Sequence, residues 1–200
     1  MIVNPPKVAV FASGSGSNAE ALILAAKKNK IYQVVCVVCD LAEAKVIERA
    51  KNLKIPVEVI IQNKNENKKE YEDRLLKVMT QYGVQWVALA GFMKILSQHF
   101  LGYFYDKIIG QNRVVNIHPS LLPHHRGLNG YEKSFADETD FAGCTVHFVD
   151  SGVDTGQIID HKIFAKIKNE DFESFKARGL KNENEFYPEV VKNLLRSFNG

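Results

Sequence analysis

The chain has few cysteines and no long apolar run. It contains three cysteines in 200 residues, an odd number without the regular spacing of a disulfide framework. Near the amino terminus the apolar residues form only the short run Val8–Ala12, whereas a membrane span needs about 20 residues. We therefore predict a cytoplasmic protein with no signal peptide and no membrane partner.

Cys36 and Cys39 match the C-x-x-C spacing of zinc and redox motifs. They fall within the apolar run Val34–Cys39, which predicts a buried strand, and residues three apart on a strand point to opposite faces. A tetrahedral zinc site would also need further ligands at suitable spacing, and the sequence offers none. We interpret both cysteines as core residues and predict no metal site.

A strong excess of charge is also missing. The chain has 26 Lys and Arg against 23 Asp and Glu, a formal net charge of +3. The most basic stretch, Lys64–Lys69, is interrupted by asparagine and glutamate. This balance does not favour a nucleic-acid partner, and the small excess of positive charge would at most help an anionic small molecule to approach. With 46% hydrophobic residues, the composition is typical of a globular chain, and we predict one domain over residues 1–200.

Strand and helix patterns alternate along most of the chain. The predicted strands are Lys7–Ala12, Ile31–Cys39, Pro56–Ile61, Val84–Ala90, Arg113–Ile117, Gly143–Val149 and Gln157–Phe164. The predicted helices are Asn18–Lys28, Ala42–Asn52, Asn67–Tyr82, a short one near Ser97, and Asp171–Phe198 with an interruption near Pro188.

This alternation predicts an α/β fold. The first five strands and their helices indicate a Rossmann-like, mostly parallel sheet flanked by helices on both faces. The last two strands are separated only by 150–156, which is too short for a crossover helix, so we expect an antiparallel addition at the carboxy-terminal end.

A polar motif stands at the end of the fifth predicted strand. Side chains on a strand alternate, so Asn116 and His118 point the same way while Ile117 points into the core, and Pro119 ends the strand. Open α/β sheets hold their ligands at the carboxyl ends of the strands. The amide can stabilise an oxyanion and the histidine can move a proton, with a carboxylate such as Asp154 to orient the histidine. Such a set is suited to acyl-type transfer without a protein nucleophile.

A glycine-rich loop, Ser13–Asn18, joins the first strand to the first helix. Backbone N–H groups and the helix dipole favour a phosphate at such a position. Gly14, Gly16 and Ala19 also fit the G-x-G-x-x-G/A dinucleotide pattern, with Asp40 at roughly the expected distance, so an NAD-dependent dehydrogenase is an alternative. That alternative leaves Asn116 and its partners without a joint role.

Four segments together resemble the phosphoribosylglycinamide formyltransferase family of the formyltransferase superfamily. They are Gly14–Asn18, Leu89–Leu96, Asn116–Pro123, and Val146–Val149 followed by Asp154–Gly156. The resemblance runs from about Val8 to about Leu195. The Asn-x-His-Pro-Ser-Leu-Leu-Pro element alone indicates only the wider superfamily, and the amino-terminal Gly-Ser-Asn loop makes the match more specific.

The resemblance implies an enzyme of purine biosynthesis that uses 10-formyltetrahydrofolate as a co-substrate, glycinamide ribonucleotide as the acceptor, and no metal. It implies an acceptor-binding half at about 1–100 and a folate-binding and catalytic half at about 89–200. The implied catalytic residues are Asn116, His118 and Asp154. The implied acceptor-binding residues are Gly14, Ser15, Gly16, Ser17, Asn18, Lys68, Met93, Ile117 and Glu183. The implied folate-binding residues are Leu89, Met93, Lys94, Ile95, Leu96, Val149, Asp150, Ser151, Val153 and Asp154.

In this interpretation Asn116 donates to the tetrahedral oxyanion, His118 acts as an imidazolium, and Asp154 orients His118 and raises its pKa. His147 or Thr145 is expected to support these residues from the neighbouring strand.

Some positions depart from the family. Lys94 stands where arginine is common, Asn184 where histidine is frequent, and 101–113 is longer than usual. We interpret 124–126 as a solvated loop.

Other functions of the same superfamily remain alternatives. Methionyl-tRNA formyltransferase normally has an additional RNA-binding domain, and formyltetrahydrofolate hydrolase has an additional regulatory domain. A sugar-nucleotide formyltransferase would not need the phosphate loop. A non-catalytic nucleotide- or folate-binding protein would not need the Asn, His and Asp set. We expect small-molecule substrates and a monomer or homodimer.

Overall fold

A computed structural model describes residues 4–197 of the chain. Its strands are Lys7–Ala12 (β1), Gln33–Cys39 (β2), Val57–Val59 (β3), Trp86–Leu89 (β4), Tyr105–Asp106 (β5), Gln111–Asn112 (β6), Val114–His118 (β7), Phe141–Phe148 (β8) and Ile158–Ala165 (β9). Its helices are Ser17–Asn29 (α1), Lys45–Asn52 (α2), Lys68–Tyr82 (α3), Gln98–Tyr103 (α4), Gly130–Ala136 (α5) and Phe172–Ser197 (α6).

Seven strands form one sheet in the order β3-β2-β1-β4-β7-β8-β9. The first five in that order pair in parallel, and β8 and β9 are added antiparallel beyond β7. The predicted Rossmann-like sheet with an antiparallel carboxy-terminal addition is therefore confirmed. Since β1, β4 and β7 are adjacent and parallel, the segments that follow them meet at one edge of the sheet.

The sheet carries an apolar core on each face. Along β1, Val8 and Val10 belong to a cluster with residues of α1, α2 and α6, whereas Ala9 and Phe11 belong to a cluster with residues of α3 and α4. This is the period of two that a strand covered on both sides requires. Helices on both faces are therefore confirmed.

The two cysteines of the C-x-x-C motif are core residues, as predicted. Cys36 and Cys39 are fully buried in β2 and belong to the clusters on opposite faces of the sheet. Burial, with a smaller effect of the Glu58 carboxylate, raises the pKa of the Cys36 thiol to about 12, so this thiol is inert at neutral pH. Within residues 4–197, no group of His, Cys, Asp and Glu is arranged to hold a metal ion.

The carboxy-terminal helix differs from its prediction. α6 continues through Pro188, although proline removes one helical N–H and an interruption was expected there. Buried side chains on both sides of Pro188 hold the helix to the sheet. Tyr187 is fully buried and its hydroxyl contacts the carbonyl oxygens of Leu89 at 3.0 Å and Val115 at 3.1 Å. Tertiary packing thus outweighs the local cost of proline. The last residue of the predicted range, Phe198, lies outside the described residues.

Three further elements were not predicted. The long segment 101–113 contains the small antiparallel pair β5–β6, and the loop after β7 contains α5. The short helix expected near Ser97 is present as α4, and the Ser97 hydroxyl accepts a hydrogen bond from the N–H of His99. Over the described part of the chain, no helix is long and apolar enough to cross a membrane.

Candidate active site

A cleft of about 630 Å³ opens at the carboxyl ends of β1, β4 and β7. The segments after these three strands form its floor, and the loops at 127–131 and 149–154, with α6, form its walls. It is lined by nearly all of the residues that the sequence singled out: Gly14–Asn18, Leu89, Met93–Leu96, Asn116–His118, Val149, Asp150, Val153, Asp154 and Glu183. Residues far apart in sequence therefore share one cavity.

The three predicted catalytic side chains converge in this cleft. Asn116 and His118 leave the same face of β7, as the strand period predicts. His118 is 4% exposed, and its Nδ1 lies 3.2 Å from Oδ2 of Asp154. The Nε2 atom of His118 lies 2.9 Å from the carbonyl oxygen of His125. Both ring nitrogens of His118 therefore face hydrogen-bond acceptors.

The protonation of His118 differs from the prediction. Burial lowers the pKa of His118, and this effect exceeds the opposite effects of the Asp154 carboxylate and the His125 carbonyl, which both raise it. The predicted upward effect of Asp154 on the pKa of His118 is therefore present, but burial, which the sequence did not show, makes the net shift downward. A lowered pKa favours the neutral imidazole, the form that can accept a proton before donating one.

The carboxylate of Asp154 contacts two histidines. Its Oδ1 atom lies 3.4 Å from Nε2 of His147, and its Oδ2 atom accepts the N–H of Gly127 at 2.9 Å. Burial raises the pKa of Asp154, but the contact with His147, the nearby His118 and the Gly127 N–H lower it more, so the net shift is downward. Asp154 is consequently ionised at neutral pH.

His147 supports Asn116 directly. Its Nδ1 atom donates to the Phe148 carbonyl at 2.8 Å, and its Nε2 atom lies 3.2 Å from Nδ2 of Asn116 as well as 3.4 Å from Oδ1 of Asp154. The amide nitrogen of Asn116 is thereby held beside the cleft that Asn116 lines. Thr145, two residues earlier on β8, instead bonds the backbone of Ser120 at 2.7 Å. The contact with a catalytic side chain that was expected from β8 is therefore made by His147, whereas Thr145 contacts the loop after β7.

The glycine loop is held in shape from several sides. Gly16 lies in the left-handed region at φ 76°, and α1 begins at the next residue without a side-chain cap. The first N–H groups of α1 are therefore open to an anion. Nε of Arg49 donates to the Ser15 carbonyl at 2.9 Å, and the Ser13 hydroxyl accepts the N–H of Met93 at 3.0 Å. The loop is thus joined both to α2 and to the segment after β4.

Gly16→Ala is expected to destabilise the fold by about 1–3 kcal/mol, the usual cost of overpacking. A Cβ at Gly16 would lie 2.5 Å from Cβ of Val46, and the positive φ adds strain. Gly14→Ala is the matched stability control, because its Cβ would meet nothing within 4 Å. Equal free energies of unfolding for the two variants in urea would contradict this prediction.

Apolar side chains form the wall beside β4 and the opposite loop. Met93, Ile95, Leu128 and Val153 are all exposed although they are large and apolar, and Leu128 is 71% exposed. Exposed apolar residues grouped around one cleft are typical of a binding site for a partly apolar ligand. Lys94 also lines this wall, with its Nζ atom 3.1 Å from Oε1 of Gln62 and 5.2 Å from the centre of the Tyr71 ring.

Two predicted residues do not line the cleft. Lys68 is exposed in the first turn of α3, and Ser151 is exposed in the loop after β8. Conversely, sequence reasoning missed Tyr131 and the backbone carbonyl of His125. Tyr131 carried no motif signal, and a backbone atom has none. The loop at 124–126 was interpreted as solvated, and His124 and Arg126 are indeed exposed, but the same loop reaches His118 through its backbone.

Asp40 does not support the dinucleotide alternative. It is buried after β2 and is absent from the lining of the cleft, whereas a dinucleotide site would use it to hold a ribose.

The fold and the cleft together define a formyl transferase: residues 6–191 match the family model described as "Formyl transferase". The chain is 39% identical over 190 residues to phosphoribosylglycinamide formyltransferase of Bacillus subtilis, covering 94% of each protein. The solved structure of the enzyme from Bacillus halodurans matches with a TM-score of 0.87 at 34% identity, covering 94% of this chain and 95% of that chain. The solved structure of the enzyme from Streptococcus pneumoniae matches with a TM-score of 0.85 at 36% identity, covering 94% of this chain and 98% of that chain. The chain belongs to the phosphoribosylglycinamide formyltransferase family, and the family predicted from the sequence is confirmed.

Proposed function

We propose that the protein transfers the formyl group of 10-formyltetrahydrofolate to the primary amine of glycinamide ribonucleotide. The observation that carries this proposal is the position of Asn116, His118 and Asp154. They lie between an anion-binding helix start on one side of the cleft and an apolar wall on the other. An acceptor with a phosphate and a donor with a flat heterocycle would therefore meet at these three side chains.

Each substrate has a distinct part of the cleft. The phosphate of the acceptor binds the loop Gly14–Ser17 and the first N–H groups of α1, with Asn18, Ile117 and Glu183 beside it. The pterin of the donor binds between Leu89, Met93–Leu96 and the loop Val149–Asp154. Lys68 and Ser151 could contact only those parts of a substrate that extend beyond the cleft.

The reaction needs a proton to move between two nitrogens. The acceptor amine forms a bond to the formyl carbon, and the carbonyl electron pair becomes an oxyanion that an N–H of Asn116 stabilises. Neutral His118 takes a proton from the attacking nitrogen and becomes an imidazolium paired with Asp154. It then donates this proton to the folate nitrogen as the bond from carbon to that nitrogen breaks. The products are the formylated amine and tetrahydrofolate, and His118 is again neutral.

During this cycle a reacting group must replace the His125 carbonyl at Nε2 of His118. Nε2 of His118 contacts that carbonyl at 2.9 Å, so a reacting group reaches Nε2 by taking its place. Nδ1 keeps its contact with Asp154 throughout. This assigns proton transfer to Nε2 and orientation to Nδ1.

We further propose that the single domain acts in the cytoplasm, as a monomer or homodimer, on small molecules and without nucleic acid or membrane. The near balance of charge and the depth of the cleft support small-molecule substrates.

A formyl-transfer assay with both substrates tests the proposal. The wild-type protein should produce formylated glycinamide ribonucleotide and tetrahydrofolate in equal amounts. Asn116→Ala should lower kcat by about 10²–10³-fold, because one oxyanion donor is lost. Release of formate without consumption of the amine would instead identify a hydrolase. Thermal stabilisation by NAD without turnover would favour the dehydrogenase alternative.

A further inference from the structure

A buried hydrogen-bond network lies at the acceptor end of the cleft. Its centre is Glu183 of α6, which is 4% exposed and lines the cleft. Oε2 of Glu183 accepts from Nδ2 of Asn18 at 2.6 Å, and Oε1 accepts from the hydroxyl of Tyr131. A buried carboxylate thus has one neutral donor on each oxygen, and no cation within residues 4–197 forms an ion pair with it.

The network leaves one end of Asn18 without a partner. Asn18 is 8% exposed and follows the phosphate loop, and its Oδ1 atom is buried without a hydrogen-bond partner. Because Nδ2 is directed to Glu183, the unsatisfied atom of the amide is an acceptor, and it belongs to a residue that lines the cleft. A buried orphan acceptor is costly unless a ligand supplies a hydrogen. The side chain of Asn18 therefore matches an N–H or O–H group of the acceptor, while its backbone N–H can still serve the phosphate.

Tyr131 reaches Glu183 because of a glycine on α6. A Cβ on Gly179 would lie 2.4 Å from Cε1 of Tyr131, so only glycine lets the ring pack this close to the helix. The ring also packs edge-on against Phe175, with ring centres 6.4 Å apart. The position of the hydroxyl is consequently fixed by packing from two sides.

We propose that Tyr131 is a positioning residue for the acceptor substrate: its hydroxyl orients Glu183, Glu183 orients the Asn18 amide, and Asn18 Oδ1 accepts a hydrogen from the acceptor. This rests on the proposed function and deepens it. The network discriminates in favour of a phosphorylated substrate that carries a hydroxyl or amino hydrogen next to its phosphate. A plain phosphate monoester without such a hydrogen would leave Oδ1 unsatisfied.

The protonation of Glu183 gives the network a measurable signature. Burial raises the pKa of Glu183, and the hydrogen bonds from Tyr131 and Asn18 lower it in part. Burial also raises the pKa of Tyr131, so the phenol remains a donor at all working pH values. Removing the hydroxyl must therefore raise the pKa of Glu183 further, and the carboxylate form then persists only at higher pH.

Tyr131→Phe tests the proposal, because it removes the hydroxyl and keeps the ring against Gly179. The KM for glycinamide ribonucleotide should rise roughly 10-fold, with kcat and the folate KM little changed. The acidic limb of the acceptor kcat/KM should move to higher pH, which a merely structural role would not cause. Tyr103→Phe is the matched control, since that tyrosine is exposed and bonds the hydroxyl of Thr80 at 3.1 Å.

Gly179→Ala perturbs the same hydrogen-bond network without removing a polar group. Its methyl group displaces the Tyr131 ring, so the acceptor KM should also rise, but Gly179→Ala should add little in the Tyr131→Phe background. Unchanged acceptor KM and an unmoved pH limb in a folded Tyr131→Phe variant would overturn the proposal. Lack of formyl transfer by the wild-type protein would instead reject the proposed function, so the two failures are distinguishable.

Discussion

His118→Ala is expected to lower kcat by about 10²–10⁴-fold, the usual contribution of a general acid–base residue. The buried imidazole of His118 lies between Asp154 and the His125 carbonyl. The KM values for both substrates should change little, because the phosphate loop and the apolar wall remain. Steady-state kinetics with each substrate varied in turn measure the effect.

His124→Ala provides the matched control. This histidine is exposed in the same loop, does not line the cleft and should leave kcat unchanged. Single-turnover measurements would show whether the loss occurs in the chemical step. A His118→Ala variant that keeps wild-type kcat would contradict the proposed route of the proton, whatever its effect on binding.

The fold was largely predictable because local sequence patterns mark where its strands and helices begin and end. Lys7–Ala12 was predicted to the residue as β1, since its apolar run ends at a glycine and serine loop. α3 was predicted nearly to the residue, because Asn67 caps its start and Gly83 ends it in the left-handed conformation. Predictions failed where packing overrides local preference. Pro188 is the clearest case, since only the buried contacts of Tyr187 show why α6 continues.

The site was predictable as a set of residues but not as a network. Asn116, His118 and Asp154 share the cleft, as their types and positions indicated. The contacts that tune them are long-range or involve the backbone. Examples are the His125 carbonyl on His118 and the Tyr131 hydroxyl on Glu183. Burial is also a property of the whole fold, and for this reason the sign of the His118 pKa shift could not be obtained from the sequence.

Asp154→Asn is expected to lower kcat by about 10²–10⁴-fold, comparable to the loss of His118 itself. The substitution keeps the shape of the side chain. Asparagine also tolerates the left-handed backbone of this residue, which has φ 51°, so the effect should come from the lost charge. Without the carboxylate, the imidazolium of His118 has no counter-charge at the moment when it must form. Asp160→Asn, an exposed carboxylate on β9, is the control.

The same variant has a defined pH signature. The Asp154 carboxylate raises the pKa of His118, so its removal lowers that pKa further below the ordinary value. Because neutral His118 must accept the proton of the attacking amine, the limb of the kcat profile that rises with rising pH should move to lower pH in Asp154→Asn. Profiles from about pH 5 to 9 cover the range in which histidine titrates. A limb that stays in place, or moves to higher pH, would show that Asp154 does not act through the charge of His118.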